Sequence, residues 1–174
     1  HELRNDAMHI VFADATSGFD CLAVQNLIQG TTRFVETRDD TPGLWKLEFR
    51  GPVPSGIASE EKKAPHESIF LTNRDSADLE AKLEKSADRE ELVFHWQGLD
   101  LPDEPDAIDV TARVGLGAGR AASEWRIDIT NRSKKLGLWE TQYPLLSTVA
   151  PKGTADVVLP GGNWGGQLFR RSKS

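Results

Sequence analysis

The strongest constraint on the fold is an alternation of apolar and polar side chains in the last third of the chain. Residues 125–130 read WRIDIT, and a period of two places the apolar side chains on one face of an extended strand. A polar turn over 131–137 separates this strand from a second extended run, 138–143, and a third run, 155–159, ends at Pro-Gly-Gly. Strands joined by polar turns and ended by proline and glycine indicate an antiparallel sheet.

The same period recurs earlier in the chain, which therefore reads as a series of β-strands. Extended runs are predicted at residues 2–5, 7–12, 19–28, 33–35, 44–50, 68–72, 92–96 and 108–114. Short strands divided by frequent turns are typical of a sandwich or barrel, and we predict an all-β antiparallel sandwich. Its core should bury the apolar rows of these strands: Met8, Ile10, Phe12, Trp45, Leu47, Phe49, Phe94, Trp96, Trp125, Ile127 and Ile129.

Three segments depart from the simple pattern. Residues 79–85 carry apolar side chains both at alternate positions and four apart, so a strand with a turn at 86–89 competes with a short helix over 77–91. The strands predicted on both sides of residues 79–85 favour a strand there as well.

Residues 51–68 and 100–106 are rich in proline and in charged residues and predict surface loops. We expect the first of these loops to be mobile rather than functional.

Composition limits the classes of partner. A chain of 174 residues is long enough for one well-packed domain, and its net charge of −6 would repel a phosphate backbone, which argues against nucleic acid. The longest apolar run is far short of the roughly 20 residues that span a bilayer, so no membrane is expected. The chain begins without Met and ends just after a hydrophobic run, so we interpret residues 1–174 as a single domain cut from a longer protein.

No catalytic or metal-binding motif is present in the sequence. Cys21 is the only cysteine, lies in an apolar run and is predicted to be a core thiol rather than a reactive one. The four histidines include no HxH or HExxH pair, and His95 is expected to be a hydrogen-bonded strand residue rather than a base. The glycines at 115–119 precede a predicted strand, whereas a dinucleotide loop opens a helix. We therefore predict no catalytic residue, no metal and no cofactor.

One segment suggests a ligand. Residues 161–167 read GGNWGGQ, so Trp164 stands between paired glycines that cannot cover its ring. An exposed indole stacks on sugar rings, and Asn163 and Gln167 could bond sugar hydroxyls. The candidate substrate-binding residues are thus Asn163, Trp164 and Gln167. The alternative, which we favour, is that Trp164 closes one end of the sandwich or packs on a neighbouring domain.

Several segments together carry a resemblance to a known family. They are LRNDAMHIVFADATSGFDCLAVQN at 3–26, LWKLEFR at 44–50, ITNRS at 129–133, YPLLSTVAP at 143–151 and ADVVLPGGNWGGQLF at 155–169. Over most of its length the chain resembles the N-terminal β-sandwich of large bacterial glycoside hydrolases. That sandwich is of the galactose-mutarotase-like supersandwich type and precedes a catalytic (β/α)8 barrel.

The resemblance implies a non-catalytic domain that supports a following catalytic domain of the same protein and shapes its carbohydrate cleft. Residues 163–170 would then lie at the junction. Two alternatives remain open. The chain is an independent sugar-binding module if Trp164 and Trp139 lie coplanar on an exposed surface. It is a mutarotase-like aldose epimerase if His66 or His95 meets a carboxylate in a pocket. The sugar, its linkage and the cellular compartment stay open.

Overall fold

A computed structural model describes the protein at residues 1–28, 32–36, 43–51, 68–146, 156–159 and 167–170, the second and the last two ranges by their backbone. These residues form thirteen strands and one 3-10 turn, Ala15–Ser17. The strands are β1 Glu2–Arg4, β2 Met8–Phe12, β3 Cys21–Asn26, β4 Thr32–Glu36, β5 Lys46–Arg50, β6 Ser68–Thr72, β7 Asp78–Lys85, β8 Arg89–Leu101, β9 Glu104–Gly117, β10 Ser123–Asn131, β11 Gly137–Gln142, β12 Asp156–Leu159 and β13 Gln167–Arg170.

Every strand pairing is antiparallel, which confirms the predicted fold class. The first sheet has the order β1-β2-β3-β4, the long sheet β10-β9-β8-β7 and the short sheet β11-β5-β6, while β12 pairs with β13. Side chains of the first and short sheets and of their flanking segments meet those of the long sheet in one core. Phe12 contacts Phe94 with ring centroids 4.9 Å apart, and Trp45 meets Trp96 edge-on at 5.4 Å. The chain is therefore an antiparallel, sandwich-like all-β fold.

The predicted core is largely correct. Seven of its members have at most 2% of their surface exposed: Ile10, Phe12, Trp45, Leu47, Phe49, Phe94 and Trp96. Met8, Trp125, Ile127 and Ile129 pack against the same core but stay partly exposed. The last three lie on β10, which is an edge strand of the long sheet and is therefore covered less completely.

The ambiguous segment is a strand, as favoured. β7 pairs with β8 from Asp78 opposite Gln97 to Lys85 opposite Glu90. The Ser86 hydroxyl donates to the carbonyl of Arg89 and stabilises the turn between them, with an oxygen–oxygen distance of 3.1 Å. The helical alternative is wrong because a partner strand supplies backbone hydrogen bonds that outweigh helix propensity.

The predicted loop at 100–106 is wrong. β8 continues to Leu101 and β9 begins at Glu104, so only Pro102 and Asp103 form the turn. Asp103 has a φ of 59°, which aspartate tolerates in tight turns. The pairing of β8 and β9 is irregular near this end, and such irregularities accept the proline at 105. The acidic residues therefore close a hairpin.

The 52–67 part of the predicted loop at 51–68 lies outside the described residues, and with it His66.

Asn73 forms a hub that joins three sheets. It follows β6 and is fully buried. Its Nδ2 donates to the carbonyl of Gly18 and to Oδ1 of Asp20, both at 2.8 Å. The backbone carbonyl of Asn73 accepts a hydrogen bond from Nε1 of Trp96 at 2.9 Å. A fully satisfied buried amide of this kind fixes the relative positions of the elements it connects.

The loop after β10 is held on the long sheet by an ion pair. The Arg132 guanidinium donates to Oδ1 of Asp109 at 2.8 Å and to the carbonyl of Asp106. The Arg132 guanidinium, helped by the backbone N–H of Gly98, lowers the pKa of Asp109 to about 2.

The lowered pKa of Asp109 predicts that part of the free energy of unfolding is lost in acid. Because the native carboxyl binds its proton less readily than the unfolded one, the contribution is present above about pH 4 and is lost as the pH falls towards 2. Asp109→Asn should therefore destabilise the protein at pH 7 and much less at pH 2.5, as measured by urea unfolding at both values. Asp128→Asn, an exposed carboxylate on neighbouring β10, is the control. An equal loss at the two pH values would contradict this role.

Candidate functional site

The sequence-predicted ligand residues cannot be placed as a site. Asn163 and Trp164 lie outside the described residues. Gln167 is the first residue of β13, opposite Leu159 on β12, and only its backbone is described. Residues 167–170 thus form a strand, but the predicted sugar contacts of these three side chains remain a prediction.

The outer surface of the short sheet carries a different group of candidate residues. Alternation along β5 places Leu47 and Phe49 in the core and Lys46, Glu48 and Arg50 on the opposite face of the sheet, where Lys46 and Arg50 are half-buried and Glu48 is buried. On the flanking strands Phe70 keeps 48% of its surface exposed and Trp139 keeps 64%. We call the surface formed by Lys46, Glu48, Arg50, Phe70 and Trp139 the aromatic face.

Trp139 owes its position to an irregularity in β11. Leu138 pairs with Phe49 and Glu140 with Glu48, so Trp139 is an extra residue without a partner on β5. A bulge of this kind re-aims a side chain. The contact of Trp139 with Arg50 shows that its ring lies over the outer surface, since Arg50 is bonded there to Glu48.

Each exposed ring is accompanied by a cation from β5. The Cζ of Arg50 lies 4.3 Å from the centroid of the Trp139 ring. The Nζ of Lys46 lies 4.0 Å from the centroid of the Phe70 ring. Cation–π contacts hold both aromatic side chains in defined orientations, which reduces the entropy lost when a ligand stacks on them.

Glu48 is the fixed carboxylate at the centre of the aromatic face. Its Oε1 accepts hydrogen bonds from the Ser68 hydroxyl and from Nε of Arg50, both at 2.6 Å. These two bonds, the Ser68 bond first, lower the pKa of Glu48, so the carboxylate is charged at neutral pH. Within the described part of the chain the second oxygen, Oε2, accepts no hydrogen bond from the protein. Glu48 keeps only 9% of its surface exposed, so this carboxylate is buried between the two exposed rings.

His95 and Cys21 have the predicted structural roles. Nδ1 of His95 lies 3.1 Å from the Thr111 hydroxyl, so its hydrogen-bond partner is a hydroxyl group rather than a carboxylate. Cys21 is buried, and burial raises the pKa of its thiol to about 12, which keeps it protonated. Neither residue is arranged for acid–base or nucleophilic chemistry.

A cavity of about 300 Å³ lies near the end of the long sheet. The charged residues that line it have a structural role rather than a ligand-binding one. Its main cation, Arg89, donates to Glu91 and to Glu124, both at 2.6 Å. The guanidinium lies over Gly115, where an added Cβ would be 2.2 Å from Nη2. The two carboxylates already neutralise the charge of Arg89. The role of Arg89 is therefore to hold the strands together through these ion pairs.

The described residues lack two other kinds of feature. They include no group of three or more His, Cys, Asp or Glu side chains that could hold a metal ion. They also include no helix that could span a membrane.

The aromatic face was only partly visible in the sequence. The polar row of β5 could be read from it. The exposure of Trp139 depends on the bulge in β11, and Phe70 lies in an apolar strand, SIFLT, whose sequence does not show that Phe70 faces outward. The face can stack apolar ligand surfaces and bond polar ligand edges. Comparisons with protein-family models, with curated proteins and with solved structures find no match to this chain.

Proposed function

We propose that this chain is a non-catalytic β-sandwich domain of a carbohydrate-active enzyme, and that it binds carbohydrate through the aromatic face. The observation that carries the proposal is a pair of exposed rings, Trp139 and Phe70, on a polar sheet surface around a fixed carboxylate. The resemblance to the galactose-mutarotase-like sandwich of glycoside hydrolases supports the same class of ligand.

The chemistry of a sugar ring suits this surface. A pyranose presents C–H groups on its flat faces and hydroxyl groups around its edge. The C–H face packs on an aromatic ring, while the hydroxyls bond carboxylates and cations beside it. Trp139 keeps most of its surface open for such stacking, and Lys46 and Arg50, each beside one of the exposed rings, can donate to hydroxyls.

Hydrolysis itself is assigned to another part of the parent protein. Glycoside hydrolysis needs two carboxylates held on either side of the bond that breaks. On this proposal the acid and the nucleophile belong to a following catalytic domain, and Asn163, Trp164 and Gln167 stay predicted to line the junction with it. The proposed partners are a carbohydrate and that catalytic domain.

An independent sugar-binding module is the second candidate. The observation in its favour is that the aromatic face is built by one sheet and needs no residue from another domain. A mutarotase-like epimerase is less well supported, because His95 bonds Thr111 and not a carboxylate.

The proposal predicts that Trp139→Ala abolishes most carbohydrate binding. Loss of a central stacking ring costs about 2 kcal/mol or more, which corresponds to roughly thirtyfold in affinity. Affinity gel electrophoresis with immobilised neutral polysaccharides, followed by calorimetry on the polymer that retards the protein, measures the change. The control is Leu138→Ala, which removes an exposed apolar side chain next to Trp139 on the same strand. Unchanged affinity of Trp139→Ala, or wild-type protein that binds no polysaccharide, would contradict the proposal.

A further inference from the structure

We infer that the aromatic face takes a neutral oligosaccharide of at least two linked sugar rings, with Phe70 as a second stacking position beside Trp139. This inference rests on the proposed function and adds to it the length and charge of the ligand.

The strand order sets the distance between the two stacking positions. β11 and β6 lie on opposite sides of β5, so Trp139 and Phe70 project from strands about 10 Å apart, twice the usual strand spacing. One sugar ring is too short to cover both aromatic rings. Two rings joined by a glycosidic bond match the separation, since each occupies about one strand spacing.

The register places Trp139 and Phe70 near the same level of the sheet. Glu48 on β5 pairs with Phe70 on β6 and with Glu140 on β11, and Glu140 directly follows Trp139. A line drawn across the three strands therefore passes through Glu140, Glu48 and Phe70, with Trp139 directly beside Glu140. A disaccharide lying along this line would stack at both ends and present hydroxyls to Lys46 and Arg50 beside the two rings.

The charges of the face favour a neutral ligand. The two cations of β5, Lys46 and Arg50, are balanced by two carboxylates, Glu48 and Glu140. Glu140 is exposed and lies on this line beside the buried Glu48, so a uronate or sulfate group there would meet the negative charge of Glu140. Sugar hydroxyls both donate and accept, and they suit a surface that offers carboxylate oxygens as well as cationic donors.

The test compares ligands of different length and charge on the 174-residue chain. Wild-type protein is screened against xylan, β-glucan, mannan and galactan as neutral polymers and against polygalacturonate and alginate as uronates. Calorimetry then follows the monosaccharide, disaccharide and tetrasaccharide of the polymer that binds best. We expect a neutral polymer, and we expect the disaccharide to bind about tenfold or more tightly than the monosaccharide.

Variants of Phe70 separate the second stacking position from the first. Phe70→Ala should lower tetrasaccharide affinity about tenfold or more and leave monosaccharide affinity unchanged, whereas Phe70→Tyr keeps the ring and should keep the affinity. Leu83→Ala, an exposed apolar residue on the long sheet, is the control, and melting temperatures confirm that each variant folds. Preference for a uronate, equal affinity for one and two rings, or an unaffected Phe70→Ala overturns this inference and leaves the proposed function standing. Absence of binding to every polymer overturns both.

Discussion

Replacing Trp96 with alanine is expected to produce the largest loss of stability, about 4 kcal/mol, which is typical of a fully buried tryptophan. The side chain is completely buried and meets Trp45 and Phe19 edge-on, with ring centroids 5.4 and 5.7 Å away. It also donates the hydrogen bond that reaches the carbonyl of Asn73. Removing it opens a cavity where three sheets meet and leaves that carbonyl without its donor.

Urea unfolding followed by far-ultraviolet circular dichroism measures this loss. Trp96→Phe is the matched control, because it keeps much of the ring volume and removes the indole N–H. The phenylalanine variant should lose about 1–3 kcal/mol, the range for a buried acceptor left without its partner together with a small cavity. A loss below about 1 kcal/mol for the alanine variant would show that Trp96 is not central to the core.

The second large effect is expected from Gly43→Ala. A Cβ added at Gly43 would lie 1.7 Å from Oδ1 of Asn73, far inside van der Waals contact. The alanine must therefore displace the Asn73 side chain and disrupt its bonds to Gly18 and Asp20. We expect a loss of about 3 kcal/mol, from overpacking and from broken buried hydrogen bonds.

A matched glycine distinguishes this clash from a general effect of alanine. Among the described residues, the atom nearest to a Cβ added at Gly51 is 3.9 Å away, so Gly51→Ala should change stability by less than about 0.5 kcal/mol. In an Asn73→Ala background the additional cost of Gly43→Ala should largely disappear, because the clashing side chain is gone. Additive losses in the double variant would place the strain elsewhere.

The sequence predicted strands well where one face of a strand is exposed to solvent and the other is buried. Lys46 and Arg50 follow that rule, whereas Glu48 on the same face is buried. β10 follows it too, although its apolar residues are only partly covered at the sheet edge. It failed at residues 100–106, because prolines and acidic residues suit a long loop and a tight hairpin equally well. Choosing between these requires the register of β8 and β9, which is a long-range property.

The candidate site was harder to predict than the fold for the same reason. Phe70 faces outward because β6 pairs with β5 in a register that puts it opposite Glu48. The exposure of Trp139 depends on a bulge in β11 that no local sequence pattern predicts. Asn73 sits in LTNRD, which reads as an ordinary polar turn, yet it is completely buried. Each of these positions is set by residues distant in the chain.

The Asn73 hub also constrains the order in which the chain can assemble. Its partners lie 55, 53 and 23 residues away, at Gly18, Asp20 and Trp96. Closing loops of that length costs chain entropy before any of these bonds forms, so the hub can be completed only after the separate sheets have come together. Asn73 thus contributes little to the early steps of folding and much to the stability of the folded state. It therefore affects the rate of unfolding more than the rate of folding.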